Sequence, residues 1–147
     1  MKYVRSFAAL ALACCGTSAL AMDWRVATAT EGALGYIDAD SVRRDGDRIV
    51  FTVAVVFFPP ARTTGRTHAR YEGDCAEMTA RPTQLTAFRP DGSSADVPIA
   101  EAVRRPEPGT NLHIVLTAAC TRRFEGATIP DVDAHAAAAA RGPGRKN

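Results

Sequence analysis

The densest basic group in this chain is Arg62, Arg66, His68 and Arg70, which begins in a Gly/Thr loop and runs into a β-rich segment. On a strand, Arg66, His68 and Arg70, spaced by two, share one face. Guanidinium groups set out in that way can receive the sulfates of a glycan or the carboxylates of an acidic partner, and the same stripe also fits the solvent face of an ordinary sheet. Arg62, Arg66 and Arg70 are the candidate contacts for a polyanion or a partner protein. Asp38-Ala39-Asp40-Ser41 offers carboxylates to a calcium ion but lacks the fixed Gly and distal Glu of a calcium loop, so it reads as a turn whose Asp and Ser bond their own backbone. His68, His113 and His135 fall in a strand, a helix and a tail, and no pair has ligand spacing. No metal is implied. No serine sits in G-x-S-x-G, nothing resembles a phosphate loop, and Glu72 and Asp74 beside Cys75 decorate a turn. Without a convergent polar site, the sequence argues against an enzyme and implies no cofactor.

The four cysteines fall into two pairs. Cys14 and Cys15 lie in an apolar leader with Lys2 and Arg5 at its start and Ala19-Leu20-Ala21 at its end, the form of a secretory signal with an A-x-A cleavage site. Its apolar core is roughly half of the 20 or so residues that a membrane span needs, so residues 1–21 are expected to be removed and the mature chain to begin near Met22. The rival is a lipoprotein signal ending at Cys14 or Cys15. Its context is poor, because Ala11 stands where Leu is usual before Cys14, and Cys14 itself stands where a small residue is usual before Cys15. That leaves Cys75 and Cys120 as the only cysteines of the exported part. In the oxidising compartments beyond the inner membrane, a lone pair is most simply a disulfide, and a disulfide removes the thiolate that nucleophilic chemistry would need.

Losing Lys2 and Arg5 from 18 basic residues leaves 16, against 16 acidic ones. The mature chain is neutral, which removes the global electrostatic reason to expect nucleic acid. The remaining length suits one domain.

The elements that must position these residues are mostly strands. Trp24-Arg-Val-Ala-Thr28 alternates, with Trp24, Val26 and Thr28 expected on one face, and Leu34 to Asp38 is a short β-rich run. Asp45-Gly46 signals a hairpin. Ile49 to Phe58 is apolar at odd and even positions alike, as in a central strand covered on both faces, and Pro59-Pro60 ends it. Thr67 to Cys75, Gln84 to Arg89 and Ala95 to Ile99 complete an antiparallel meander. One helix follows. Thr110 is its N-cap, and Leu112, Val115, Leu116, Ala119 and Cys120 form an apolar stripe. If Cys75 lies on the sheet, the bridge staples helix to sheet. From about Ala127 large apolar side chains are almost absent, so residues 127–147 read as a disordered Ala/Gly-rich tail with transient helix over Asp133 to Arg141. The single helix can cover only one face of the central strand, and the bare face predicts self-association.

In order and spacing, the chain resembles the bacterial surface-adhesin protein E family over roughly Asp23 to Arg123. The matching features are the leader, Trp24, Gly35-Tyr36-Ile37-Asp38 followed by Ser41-Val42, the long apolar strand, Asp74-Cys75, the Gln84-to-Gly92 hairpin, and Pro108-Gly109-Thr110 before a helix ending in Cys120. The resemblance implies an α+β domain over residues 22–126, an antiparallel β-sheet meander with one C-terminal helix packed on a face and tied by the Cys75–Cys120 bridge. It also implies a tendency to form a homodimer through the sheet and, from the family name, a protein partner in the host extracellular matrix. Two departures stand out. Family members often carry a tryptophan before the Pro-Gly-Ser turn where this chain has Ala102-Val103-Arg104-Arg105, and the alanine-rich tail is extra. On these grounds the chain is expected to be an exported, non-enzymatic protein-binding module in the periplasm or at the cell surface of a Gram-negative bacterium. The alternative is a periplasmic structural or envelope-maintenance protein without a host partner.

Overall fold

The computed structural model describes residues 22–58, 65–100 and 102–141. The leader with Cys14 and Cys15, Pro59-Pro60, Arg62 and residues 142–147 lie outside the described residues. Six strands form one antiparallel sheet in chain order: β1 (Trp24–Ala29), β2 (Ala33–Asp45), β3 (Arg48–Phe57), β4 (Arg66–Asp74), β5 (Thr79–Phe88) and β6 (Ser94–Asp96). Two helices follow, α1 (Asn111–Thr121) and α2 (Val132–Arg141). Gly46, at φ +59°, makes the tight β2–β3 turn that Asp45-Gly46 foretells.

β3 shows why the fold has three layers. Ile49, Phe51 and Val53 point to one side and Ala54 and Val56 to the other, and all five are buried. Neither face can be left to water, since each buried aliphatic side chain is worth roughly 1.5–3 kcal/mol. α1 covers the first side, packing Val115, Leu116 and Ala119 against Ile37, Ile49, Phe51 and Val53. α2 covers the second, packing Val132 and Ala136 against Trp24, Leu34, Tyr36, Ala54 and Val56. Over residues 127–141 the expected disordered tail is thus corrected to a bridge residue at Ile129 and a docked helix. Small side chains suffice here because the sheet supplies the large ones. The bare face expected to drive self-association is occupied by the chain's own α2.

α1 follows its sequence signals. Thr110 Oγ1 accepts from the His113 N–H at 3.4 Å, and Arg122 closes the helix in the left-handed conformation with its N–H on the Ala118 and Ala119 carbonyls. Cys75, just beyond β4, is bonded to Cys120 in the last turn of α1, with a Cα–Cα distance of 5.6 Å.

Three strands depart from simple alternation. A register shift between Val26 and Thr28 turns Thr28 away from Trp24 and Val26 to the α1 side. There Gly35 makes room for Thr28, because a Cβ at that position would lie 2.3 Å from Thr28 Oγ1 and the threonine side chain would have to turn away. β2 runs through Asp38 to Ser41 instead of stopping, with its register interrupted between Asp38 and Arg43. The expected turn bonds survive within that irregularity. Ser41 Oγ donates to the Asp38 carbonyl at 2.7 Å and accepts from the Thr52 N–H at 2.8 Å, and Asp38 Oδ1 accepts from the Asp23 and Asp40 amides. β5 begins at Thr79, earlier than Gln84, with Pro82 opposite Tyr71 at a register shift where the ladder is already broken.

Candidate interaction surface

Arg66, His68 and Arg70 lie opposite Val56, Ala54 and Thr52 of β3, so the period-two stripe is on one face, the α2 side. Its members have different fates. Arg66 stacks over the Phe88 ring at 4.4 Å and pairs with Asp133 in the first turn of α2. His68 lies between Trp24 and Phe88, with ring centroids 5.3 Å and 4.9 Å away, and its Nε2 is shut off from solvent with no hydrogen-bond partner among the described residues. Arg70 is exposed. The structure therefore does not bring Arg66 and Arg70 together as two equivalent surface cations.

Residues that sequence reasoning left in the tail complete this face. After α1 the chain is strapped to β1. Arg25 reaches the Gly126 carbonyl at 2.6 Å while its Nε and second guanidinium nitrogen hold the Asp23 carboxylate. Thr128 Oγ1 donates to Asp23 at 2.7 Å, and the Ile129 N–H donates to the Trp24 carbonyl at 2.8 Å. Arg25 and Thr128 hold the Asp23 carboxyl below its ordinary value. Asp131 then caps α2, its Oδ1 accepting from the Asp133 and Ala134 amides at 3.0 Å. The Tyr36 hydroxyl meets His135 Nδ1 at 2.9 Å and donates to the Val132 carbonyl at 3.4 Å. A sequence signal for this helix exists: Asp131 stands just before a run in which Val132 and Ala136 recur at i, i+4, with Ile129 three residues ahead.

Burial sets the electrostatics of this layer. It pushes the Tyr36 hydroxyl up to about 12, aided by Asp133, and raises Asp38 although backbone amides at Asp40 and Asp23 pull it down. His68 is held below its ordinary value, first by burial and then by Arg66, against a smaller opposing pull from Asp133. Elsewhere a cleft of about 610 Å³ at the β2–β3 hairpin end sets Arg43, Arg48 and Arg81 against Glu72 and Asp74, and Arg81 pairs with Glu72 at 3.1 Å. A second groove, of about 520 Å³, runs between α1 and β1 beside the exposed Ile114. Among the described residues no group of three or more His, Cys, Asp or Glu is placed to hold a metal ion, and no helix is long and apolar enough to cross a membrane.

The sequence model of the surface-adhesin protein E family matches residues 24–121, from the first residue of β1 to the last of α1. The chain belongs to the surface-adhesin protein E family. Its fold is that of a Haemophilus influenzae protein E structure, crystal form II, with a TM-score of 0.51 at 16% identity over 68% of this chain and 88% of that one. Protein E from non-typeable Haemophilus influenzae gives a TM-score of 0.49 at 15% identity, covering 79% of this chain and 86% of that one. No curated protein matches. The matched family segment holds the sheet, α1 and the two bridged cysteines, and it stops short of the strap and α2.

Proposed function

We propose that this surface-adhesin protein E family member works as an exported, non-enzymatic protein-binding module of a Gram-negative envelope, with a host extracellular-matrix protein as its partner. The observation that carries the reading is the match of the family over residues 24–121, the segment that the disulfide braces. The leader with its Ala19-Leu20-Ala21 end supports export, with the mature chain starting near Met22. Exposed Arg70, with Arg62, supplies the polyanion or partner contact, whereas Arg66 is held by Asp133 and Phe88. Pairing of two copies is a further element of the reading, and with α2 docked it uses a surface other than the face that α2 covers.

The test is made on intact cells and on purified protein together. External protease is expected to remove the domain from intact cells, and the mature protein is expected to bind immobilised extracellular-matrix proteins in a salt-dependent way that Arg70→Ser weakens. Protection until the outer membrane is opened, with no matrix binding, would replace this reading with that of a periplasmic structural protein.

A further inference from the structure

The core beneath α2 is lopsided. The sheet contributes Trp24, Tyr36, Leu34 and Val56, whereas α2 buries only Val132 and Ala136, and its alanines from Ala137 to Ala140 are exposed. A helix that buries so little apolar surface is held in large part by its polar contacts, here Arg66 with Asp133 and Tyr36 with His135. α1 is anchored differently, by three buried side chains and a covalent bond. Local opening selects weakly anchored elements, and of the two helices that is α2.

His68 lies in the same layer. As a neutral imidazole it fits between the Trp24 and Phe88 rings. As an imidazolium it carries a second charged N–H that finds no acceptor at Nε2. From its own strand it has the cations Arg66 and Arg70 on either side. From β5 it faces Thr86 and Phe88, and Asp96 of β6 lies beyond, bonded to Thr86 at 2.7 Å. β3 offers only Thr52 and Ala54. β1 adds the indole of Trp24, and β2 brings Tyr36 and Asp38 to this face. α2 brings Asp133, whose carboxylate is engaged by Arg66, and His135, whose Nδ1 is engaged by Tyr36. The ring as a whole is partly exposed, but Nε2 is shut off, so solvating a charged N–H there requires the groups around it to move apart.

We propose that α2 is an acid-released cover: protonation of His68 undocks the helix and opens the sheet face around Trp24 to solvent, while the sheet, α1 and the disulfide persist. The sign follows from the docked state binding fewer protons at His68 than the released state, so acid favours release once pH falls below the ordinary histidine value of 6.5. The device stands apart from whatever the domain binds.

Trp24 is the only tryptophan and reports on the face directly. The mature chain is titrated from about pH 8 to about pH 5, following Trp24 emission, far-UV circular dichroism and amide exchange corrected for its intrinsic pH dependence. On acidification, emission is expected to shift to the red. Exchange over residues 132–141 should accelerate at least roughly tenfold while residues 111–121 keep their protection. His68→Phe keeps a ring between Trp24 and Phe88 and is expected to hold α2 docked down to about pH 5, and His68→Gln serves if the larger ring disturbs folding. Parallel titration of wild type and both variants overturns the proposal, as does simultaneous loss of protection in 111–121 and 132–141.

Discussion

Breaking the Cys75–Cys120 bridge, by reduction or by the paired replacement Cys75→Ala and Cys120→Ala, tests how the domain is held together. The cysteines are 45 residues apart, and closing a loop of that length removes about 4 kcal/mol worth of chain entropy from the unfolded state. A folded region on the order of 120 residues unfolds with an entropy of roughly 0.25 kcal/mol/K. The expected fall in Tm is then about 16 °C, and the urea midpoint should drop by about 2 M for a typical m-value near 2 kcal/mol/M. The m-value itself should rise, because the unbridged chain expands further on unfolding. Val115, Leu116 and Ala119 stay buried against the sheet without the bond, so circular dichroism should still report a folded domain at 25 °C. The assay is paired thermal and urea unfolding of oxidised and reduced protein at one concentration. A shift below about 4 °C, near 1 kcal/mol, with an unchanged m-value would refute the reasoning, since the bridge would then not be constraining the unfolded chain.

Two further perturbations probe the two faces of the sheet. At Gly73 an added Cβ would lie 2.7 Å from the Thr79 carbonyl oxygen and 3.3 Å from Leu116 Cδ1, so Gly73→Ala should cost about 1–3 kcal/mol in urea unfolding, whereas Gly32→Ala, with open space around it, should leave the midpoint in place. On the α2 side the Tyr36 hydroxyl is pushed from 10.0 to about 12, so the folded state keeps a proton that the unfolded chain loses. The Tyr36 contribution to stability should be constant up to about pH 10 and be lost from there toward pH 12, a loss read by urea midpoints and absent in Tyr36→Phe.

Much of the sheet was legible because its signals are local. Two apolar faces on Ile49 to Phe58, a Gly in the β2–β3 turn and a Thr before the α1 stripe each dictate structure within a few residues, and each element stands where its signal lies. The interruptions were not legible. Thr28 turns over because Gly35 on the next strand leaves room for it, and Pro82 is tolerated because Tyr71 lies across a broken register. Both conditions sit on a neighbouring strand. α2 was misread for a related reason. Its own composition is too poor in large side chains to justify order, and the mass that orders it, Trp24 and Tyr36, lies about a hundred positions earlier, as the 99-residue separation of Tyr36 and His135 shows. The basic stripe was placed correctly on one face, but its meaning changed once Asp133, 67 residues from Arg66, came down on it.

The strap along β1 bears on how this sheet behaves in a crowd. A bare outer strand is a template on which further chains can grow by backbone pairing. Here Ile129 already occupies the Trp24 carbonyl on one margin. On the other, β6 is only three residues long and fully exposed, and Arg104 pairs with Ala80 nearby. Growth by stacking strand on strand is interrupted at Trp24 on the first margin and finds only a short strand on the second. Contacts made through side chains can discriminate between partners, whereas contacts made through the main chain accept almost any extended sequence.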